Sequence, residues 1–185
     1  MAFLTDAALA LMNFKHLGEG VLLSDKASIY NPGNISIGSH SRIDDFAILS
    51  AGEGGIEIGR YVHIACNASI LGQGRVVLGD YSGISSRVAV YSSGDNYDGE
   101  WMTNPCLPET VRRTHHLGVH LGKHVVVGTG STVLPGVVLK DGCAVGAMSL
   151  VTKSFDELSI VVGVPALFRR KRKDTIYELE KLLPE

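Results

Sequence analysis

Residues 121–151, split into hexads, read LGKHVV VGTGST VLPGVV LKDGCA VGAMSL V. Leu121, Val127, Val133, Leu139, Val145 and Val151 open the hexads without a slip, and Val125, Ser131, Val137, Cys143 and Ser149 follow their anchors four places later. A period of six matches neither the helical 3.6 nor simple strand alternation. It suits a short extended segment and a bend, at about 3.3 Å of rise per strand residue. The anchor then points into the interior of a coil, and the small residue fits where the cross-section narrows. Each repeat buries its apolar side only by stacking on the next. The stretch therefore predicts a parallel β-helix with triangular coils.

Working toward the N-terminus, the anchors continue as Ile37, Ile43, Leu49; Ile58, Ile64, Ile70; and Leu78, Ile84, Val90. Their small partners are Ser41, Ala47, Val62, Ala68, Ser82 and Val88. Gly38, Gly59, Gly79, Gly122, Gly128 and Gly146 directly follow anchors, where the absence of a Cβ lets the backbone turn. Extra residues fall after Leu49, Ile70 and Val90, each time after a group of three hexads. Insertions at one corner of a three-sided prism produce that pattern. The fifteen anchors give about five coils, and Leu23 and Ile29 begin a partial coil before them. An ordinary β-sandwich would show period-two alternation and irregular turn spacing instead.

The 185 residues fit one principal domain. Seventeen basic residues face nineteen acidic ones, so general attraction to nucleic acid is not expected. Cys66, Cys106 and Cys143 form no motif; Cys143 takes a small interior position and reads as a core thiol. The odd cysteine count and the lack of a basic leader lead to an expected cytoplasmic location, and no stretch is long enough to insert in a membrane. The ends depart from the repeat. Residues 1–20 form a helical segment, with Thr5 capping a short helix through Phe14 that Gly18 ends. Residues 21–166 form the β-helix with an inserted loop, 91–117. Residues 167–185 form a basic linker and a helix over Asp174–Leu183 that presents Ile176, Leu179 and Leu183 on one face, covering the open end of the prism or a neighbouring subunit. The basic run Arg169–Lys173 reads either as a solvated surface or as a phosphate contact.

The hexads, the 27-residue excursion Tyr91–Leu117, and Val145-Gly-Ala-Met-Ser-Leu-Val-Thr-Lys153 followed by Gly163-Val-Pro-Ala166 resemble the hexapeptide-repeat acyltransferases. Among them the chain is most similar to sugar acetyltransferases of surface-polysaccharide pathways. The resemblance implies a left-handed coil, against the general right-handed rule for parallel crossovers. It also implies a homotrimer with active sites between neighbouring prisms, acetyl-coenzyme A along the groove, and a long loop that helps enclose a sugar acceptor. For the cofactor it implies backbone groups of the late coils and a basic C-terminal stretch. These map onto Gly128, Gly146, Ala147, Ser149, Thr152, Lys153, Pro165, and Arg169 or Arg170. Lys153 reads equally as a solvated charge.

Acetyl transfer needs a nucleophile, a proton acceptor and a held oxyanion. Hydroxyl-acetylating members of the family commonly use a His at the start of the long loop. Matching Val88-Ala-Val-Tyr-Ser-Ser-Gly-Asp95 onto that motif places Asp95 where the His stands. A hydroxyl needs a base with a pKa near working pH, whereas a neutral amine is already nucleophilic and gives up its proton after attack. Asp95 therefore leans toward an amino-sugar acceptor, probed against an Asx-turn role in the segment 94–99. His115 or His116, at the end of the loop, is the alternative base and would favour O-acetylation of the galactoside or maltose type. Asn67 lies near the family's acceptor-contacting Asn. Tyr97 and Trp101 offer faces for a sugar ring or anchors for the loop. His124 points outward as a structural residue, and His16, His40 and His63 form no constellation. His115 and His120 have the His-x4-His spacing of a γ-class carbonic-anhydrase-like zinc site, but the closing motifs argue against it, so no metal is expected. A non-catalytic scaffold is disfavoured by the long loop.

Overall fold

The computed structural model describes residues 2–183. The ranges 1–20 and 167–185 thus include residues 1, 184 and 185, which lie outside the described part. The first turn consists of β1 (His16–Leu17), β2 (Leu22–Leu23) and β3 (Ser28–Tyr30). The second is β4 (Ile35–Ile37), β5 (Arg42–Ile43), β6 (Ile48–Ala51); the third is β7 (Ile56–Ile58), β8 (His63–Ile64), β9 (Ser69–Gly72). Next come β10 (Val76–Leu78), β11 (Gly83–Ile84), β12 (Ala89–Tyr91), then a projecting hairpin, β13 (Ser93–Asp95) and β14 (Thr114–His116). The coil resumes with β15 (Val119–Leu121), β16 (Val126–Val127), β17 (Thr132–Val133), then β18 (Val138–Leu139), β19 (Ala144–Val145), β20 (Leu150–Val151). It ends with β21 (Ser159–Val162) and β22 (Leu167–Lys171).

Three parallel sheets form the faces of a left-handed prism. The first face orders β1-β4-β7-β10-β15-β18, the second β2-β5-β8-β11-β16-β19-β21 with β22 antiparallel at its end, and the third β3-β6-β9-β12-β17-β20. Anchors align in columns: Leu17, Ile37, Ile58, Leu78, Leu121 and Leu139 are successive partners on the first face. The fifteen anchors and all eleven small partners named above are buried. The five coils read from the hexads are joined by a complete earlier turn, so six full turns and one strand of a seventh are present. The β-helix accordingly starts at His16 rather than residue 21, because Leu17 already pairs with Ile37 as an anchor. The extra residues lie at one corner, between a strand of the third face and the next strand of the first.

The glycines after anchors have a different reason from the one expected. The left-handed backbone falls two places further on, at His40, Tyr61, Tyr81 and His124, with φ between 56° and 61°. The anchor-following glycine is required by close approach of successive coils. A Cβ on Gly79 would stand 2.5 Å from the backbone carbon of Gly122 and 2.6 Å from Lys123 N. Backbone cannot move aside without opening the stack. Gly79→Val is expected to destabilise the protein by about 1–3 kcal/mol through overpacking. A urea midpoint equal to that of the parent would refute the close-approach argument.

Both ends close differently from the sequence expectation. The first helix, α1, covers Asp6–Leu11, with Thr5 Oγ1 accepting from Ala8 N at 3.3 Å. It stops before Phe14 because Asn13 takes positive φ and the chain enters β1. The basic run is not a linker: it supplies β22, which hydrogen-bonds to the otherwise unpaired edge of β21. The last helix, α2 (Ile176–Glu180), docks through its polar face. Leu179 and Leu183 are 57% and 43% exposed. Glu180 Oε2 instead meets His124 Nε2 at 2.6 Å, and this hydrogen bond is the main cause holding the Glu180 carboxyl below its usual range. Tyr177 donates to Glu157 Oε1 at 3.0 Å, and burial, with that bond, pushes its phenol up to about 12. His124 also ends a stack of rings along the corner between the first and second faces, with His40, Tyr61 and Tyr81 at centroid spacings of 4.9, 5.5 and 5.0 Å. His124 is thus structural, as expected. Cys143 is fully buried, and burial raises its thiol pKa.

Candidate active site

The long loop leaves the prism at the inserting corner through the antiparallel pair β13–β14. Ser93 faces His116, Gly94 faces His115, and Asp95 faces Thr114. Directly opposed residues share a face, and faces alternate along each strand. Ser93, Asp95, Thr114 and His116 therefore lie on one side of the hairpin, with Gly94 and His115 on the other. The His115 ring covers Gly94, where a Cβ would come within 2.8 Å of it. The two adjacent histidines, equivalent in the sequence reading, are thus separated by the pleat.

Beside the hairpin lies an open groove of about 860 Å³, lined by Glu53, Gln73, Ser93, Arg112, Thr114 and His116 among others. Its far wall is the inserting corner of the earlier turns. Ser93 Oγ accepts from the Gln73 backbone N–H at 2.8 Å and lies 2.8 Å from His116 Nδ1, tying hairpin to prism. The Arg112 guanidinium reaches Glu109 at 3.7 Å, while its Nε is buried without an acceptor. Asp95 lies on the same side of the hairpin as Ser93, next to the residues that line the groove, and among the described residues its carboxylate makes no hydrogen bond or ion pair. The Asx turns at the loop tip belong to Asn96, which accepts from Asp98 N at 3.0 Å, and to Asp98, which accepts from Glu100 N at 2.8 Å. The Asx-turn reading of Asp95 therefore fails, and its carboxylate stays available. Trp101 is half-buried, with the guanidinium of Arg113, from the same loop, 5.9 Å above its ring; Tyr97 projects at 86% exposure.

The remaining expected residues divide between two corners. Asn67 occupies the turn between β8 and β9 at the corner of the second and third faces, with φ of 58°, a conformation Asn tolerates well. Gly128, Gly146, Ala147 and Ser149 occupy the same corner higher up, and Pro165 lies in the turn that closes it. Ala147 is exposed, whereas Ser149 is buried, donating to Gly146 O at 2.7 Å and accepting from Gly163 N at 3.1 Å. Its hydroxyl locks the turn because the small hexad position points inward. Arg169 and Arg170 are exposed on β22. Thr152 and Lys153 follow β20 at the inserting corner, and the Lys153 ammonium sits 5.8 Å from the Phe155 ring. The third face separates the corners by roughly 16 Å, about five residues at 3.3 Å each. One chain consequently does not bring Asn67 or Ala147 to Asp95.

Sequence reading missed Ser93, Gln73 and Arg112. Two of them were visible as alternation: Arg112, Thr114 and His116 recur at period two, as do Ser93 and Asp95. Gln73 joins them only through coil stacking. His63, unassigned before, meets Asp44 at 2.9 Å, and Arg42 meets the same carboxylate at 2.6 Å. Among the described residues no group of three His, Cys, Asp or Glu side chains is placed to hold a metal ion.

No family model matches the chain. The dTDP-4-amino-4,6-dideoxy-D-glucose acyltransferase of Escherichia coli is 48% identical over 182 residues, covering 98% of this chain and 95% of that protein. The chain belongs to the hexapeptide-repeat sugar acyltransferases. A putative lipopolysaccharide biosynthesis O-acetyl transferase of Escherichia coli K12 is 32% identical, over 63% of this chain and 57% of that protein. Among solved structures, the N-acyltransferase AntD of Bacillus cereus superposes with a TM-score of 0.93 at 42% identity, covering 98% of this chain and 96% of that one. That crystal structure is a serine-to-alanine variant in complex with dTDP-4-amino-4,6-dideoxyglucose and coenzyme A. Further structures of AntD include an aspartate-to-asparagine variant with dTDP and coenzyme A, and a complex with dTDP and 3-hydroxybutyryl-CoA. Membership in this acyltransferase family sets aside the carbonic-anhydrase reading.

Proposed function

We propose that this acyltransferase moves an acetyl group from acetyl-coenzyme A to the free amine of a nucleotide-linked amino sugar, of the dTDP-4-amino-4,6-dideoxyglucose kind, for surface polysaccharide. The observation that carries the reading is the end-to-end similarity to an enzyme of that specificity, joined to Asp95 on the same side of the hairpin as the groove-lining Ser93 and His116, with no partner among the described residues. The amine nitrogen attacks the thioester carbonyl and forms the N–C bond. The C–S bond breaks as the tetrahedral adduct collapses. Asp95 takes the proton that becomes acidic on attack and returns it to the departing thiolate, giving coenzyme A and the amide. Asn67 contacts the acceptor, and Tyr97 packs on the sugar or base from the loop. Gly128, Gly146, Ala147 and Pro165 line the pantetheine path, and Lys153, Arg169 or Arg170 meets phosphate.

The split between two corners supports a homotrimer in which the loop corner of one prism meets the late-coil corner of the next. The β-helix with its inserted loop is the catalytic unit in this reading, placed in the cytoplasm where acyl-coenzyme A and nucleotide sugars occur, with no metal needed for thioester aminolysis. Among the described residues no helix is long and apolar enough to cross a membrane.

Mass spectrometry of products settles the reaction. Acetyl-coenzyme A is to be offered with dTDP-linked 4-amino sugars and their 4-hydroxyl analogues. Amide formed on the amino sugar alone is expected; ester formed on the hydroxyl analogue with the amine untouched would overturn the proposal. Sedimentation of the same preparation should give about three chains per particle, since closed cyclic assemblies bring unlike corners together. A fully active monomer would refute the shared site.

A further inference from the structure

The bonds around Ser93 bear on where His116 carries its proton. A serine hydroxyl has one hydrogen to donate and two lone pairs to accept with. Ser93 Oγ accepts from the Gln73 backbone N–H at 2.8 Å, and that amide nitrogen has nothing to offer in return. Its other partner is His116 Nδ1, also at 2.8 Å. Two arrangements satisfy these distances: both partners donate into the two lone pairs and the serine hydrogen turns to solvent, or the serine hydrogen goes to Nδ1, the one partner of the two that can receive it. In the second arrangement Nδ1 carries no proton, and a neutral ring has its proton on Nε2. Among the described residues Nε2 has no partner. The ring lines the groove, and neither groove carboxylate, Glu53 nor Glu109, is bonded to it.

We infer that Ser93 is a positioning residue: it holds His116 as the neutral Nε2–H tautomer, and His116 donates a hydrogen bond to an oxygen of the acceptor sugar instead of serving as the base. The ligand part of this inference rests on the groove being the acceptor site proposed above; the tautomer does not. It assigns different duties to the two chemically plausible groups on the groove face of the hairpin. Asp95 has only lone pairs to offer and takes a proton, whereas His116 already carries its groove-side proton and gives a hydrogen bond.

The tautomer is read directly by nitrogen-15 NMR of histidine-labelled full-length enzyme, without substrate, at pH 8. A bare Nδ1 and a protonated Nε2 are expected for His116, with a mixture of tautomers in Ser93→Ala. A protonated Nδ1 in the parent, or an unchanged spectrum in the variant, would overturn the inference. Kinetics supplies the second arm. His116→Ala is expected to raise the KM of the amino-sugar acceptor about tenfold, the worth of one hydrogen bond, with the KM of acetyl-coenzyme A unmoved. His116→Gln keeps an N–H donor near the Nε2 position and cannot act as a base, so it should recover most of that loss. Gln and Ala variants that are equally inactive would make His116 the base and end the proposal. Should the parent acetylate no amino sugar at all, the proposed reaction fails, and the NMR result still decides the tautomer.

Discussion

Asp95→Asn lowers kcat with the amino-sugar acceptor by about 10²–10³-fold, while the dissociation constant of acetyl-coenzyme A stays unchanged. The size follows from losing a positioned proton acceptor, which commonly contributes 10²–10⁴-fold, and corresponds to about 3–4 kcal/mol of barrier. The restriction to kcat follows from the proposed role. Asp95, on β13, acts on the reacting amine and the departing thiolate, while the pantetheine and phosphates of the coenzyme are assigned to other residues. Folding is not at risk, because the Asx turns of the loop use Asn96 and Asp98. Steady-state rates with product mass spectrometry, together with calorimetry of coenzyme binding, make the check. His116→Asn is expected to cost less than Asp95→Asn. The reverse ranking, with Asp95 dispensable, would point to a histidine base and to O-acetylation.

Ala147→Trp raises the dissociation constant of acetyl-coenzyme A by about a hundredfold, or 2.7 kcal/mol. Ala147 is exposed in the turn between β19 and β20, so the larger ring enters solvent and not the prism. The backbone there cannot retreat to make room. A Cβ on Gly128, one turn below, would already stand 2.5 Å from Ala147 N, which shows how tightly successive corners are layered. The bulk must then fall across the proposed pantetheine path. Thermal unfolding should be within the range of ordinary surface substitutions, about ±0.5 kcal/mol. Unchanged affinity by calorimetry, with the fold intact, would place the cofactor elsewhere.

How much of the site was legible varied with the distance over which its parts interact. Asp95 was found because a short motif put it at a marked position. Its independence from the loop's own turns was not legible, since Asn96 and Asp98 compete for the same local role in the sequence. His115 and His116 could not be told apart as neighbours in a string. The pleat of β13–β14 separates them, and that pairing joins residues 19 to 23 positions apart. Ser149 was taken as a cofactor contact and as a small interior residue at once; the structure gives it the interior role. At the C-terminus, periodicity singled out Ile176, Leu179 and Leu183, whereas docking uses Tyr177 and Glu180 because the surface they meet is a column of rings ending in His124.

The sequence by itself determined the prism: its period, its three faces, the interior anchors, the small residues beside them, and the single corner where insertions accumulate. These are legible because each coil contacts chiefly the coils next to it, so a local repeat encodes nearly all of the packing. Only the tertiary structure decided that an extra turn opens the prism, that the basic run becomes an edge strand, that one histidine of a pair faces the groove, and that Gln73 and Ser93 meet there. Each of these depends on which backbone edges and side chains remain unsatisfied after the coils have stacked, and stacking brings together residues that no sequence period connects.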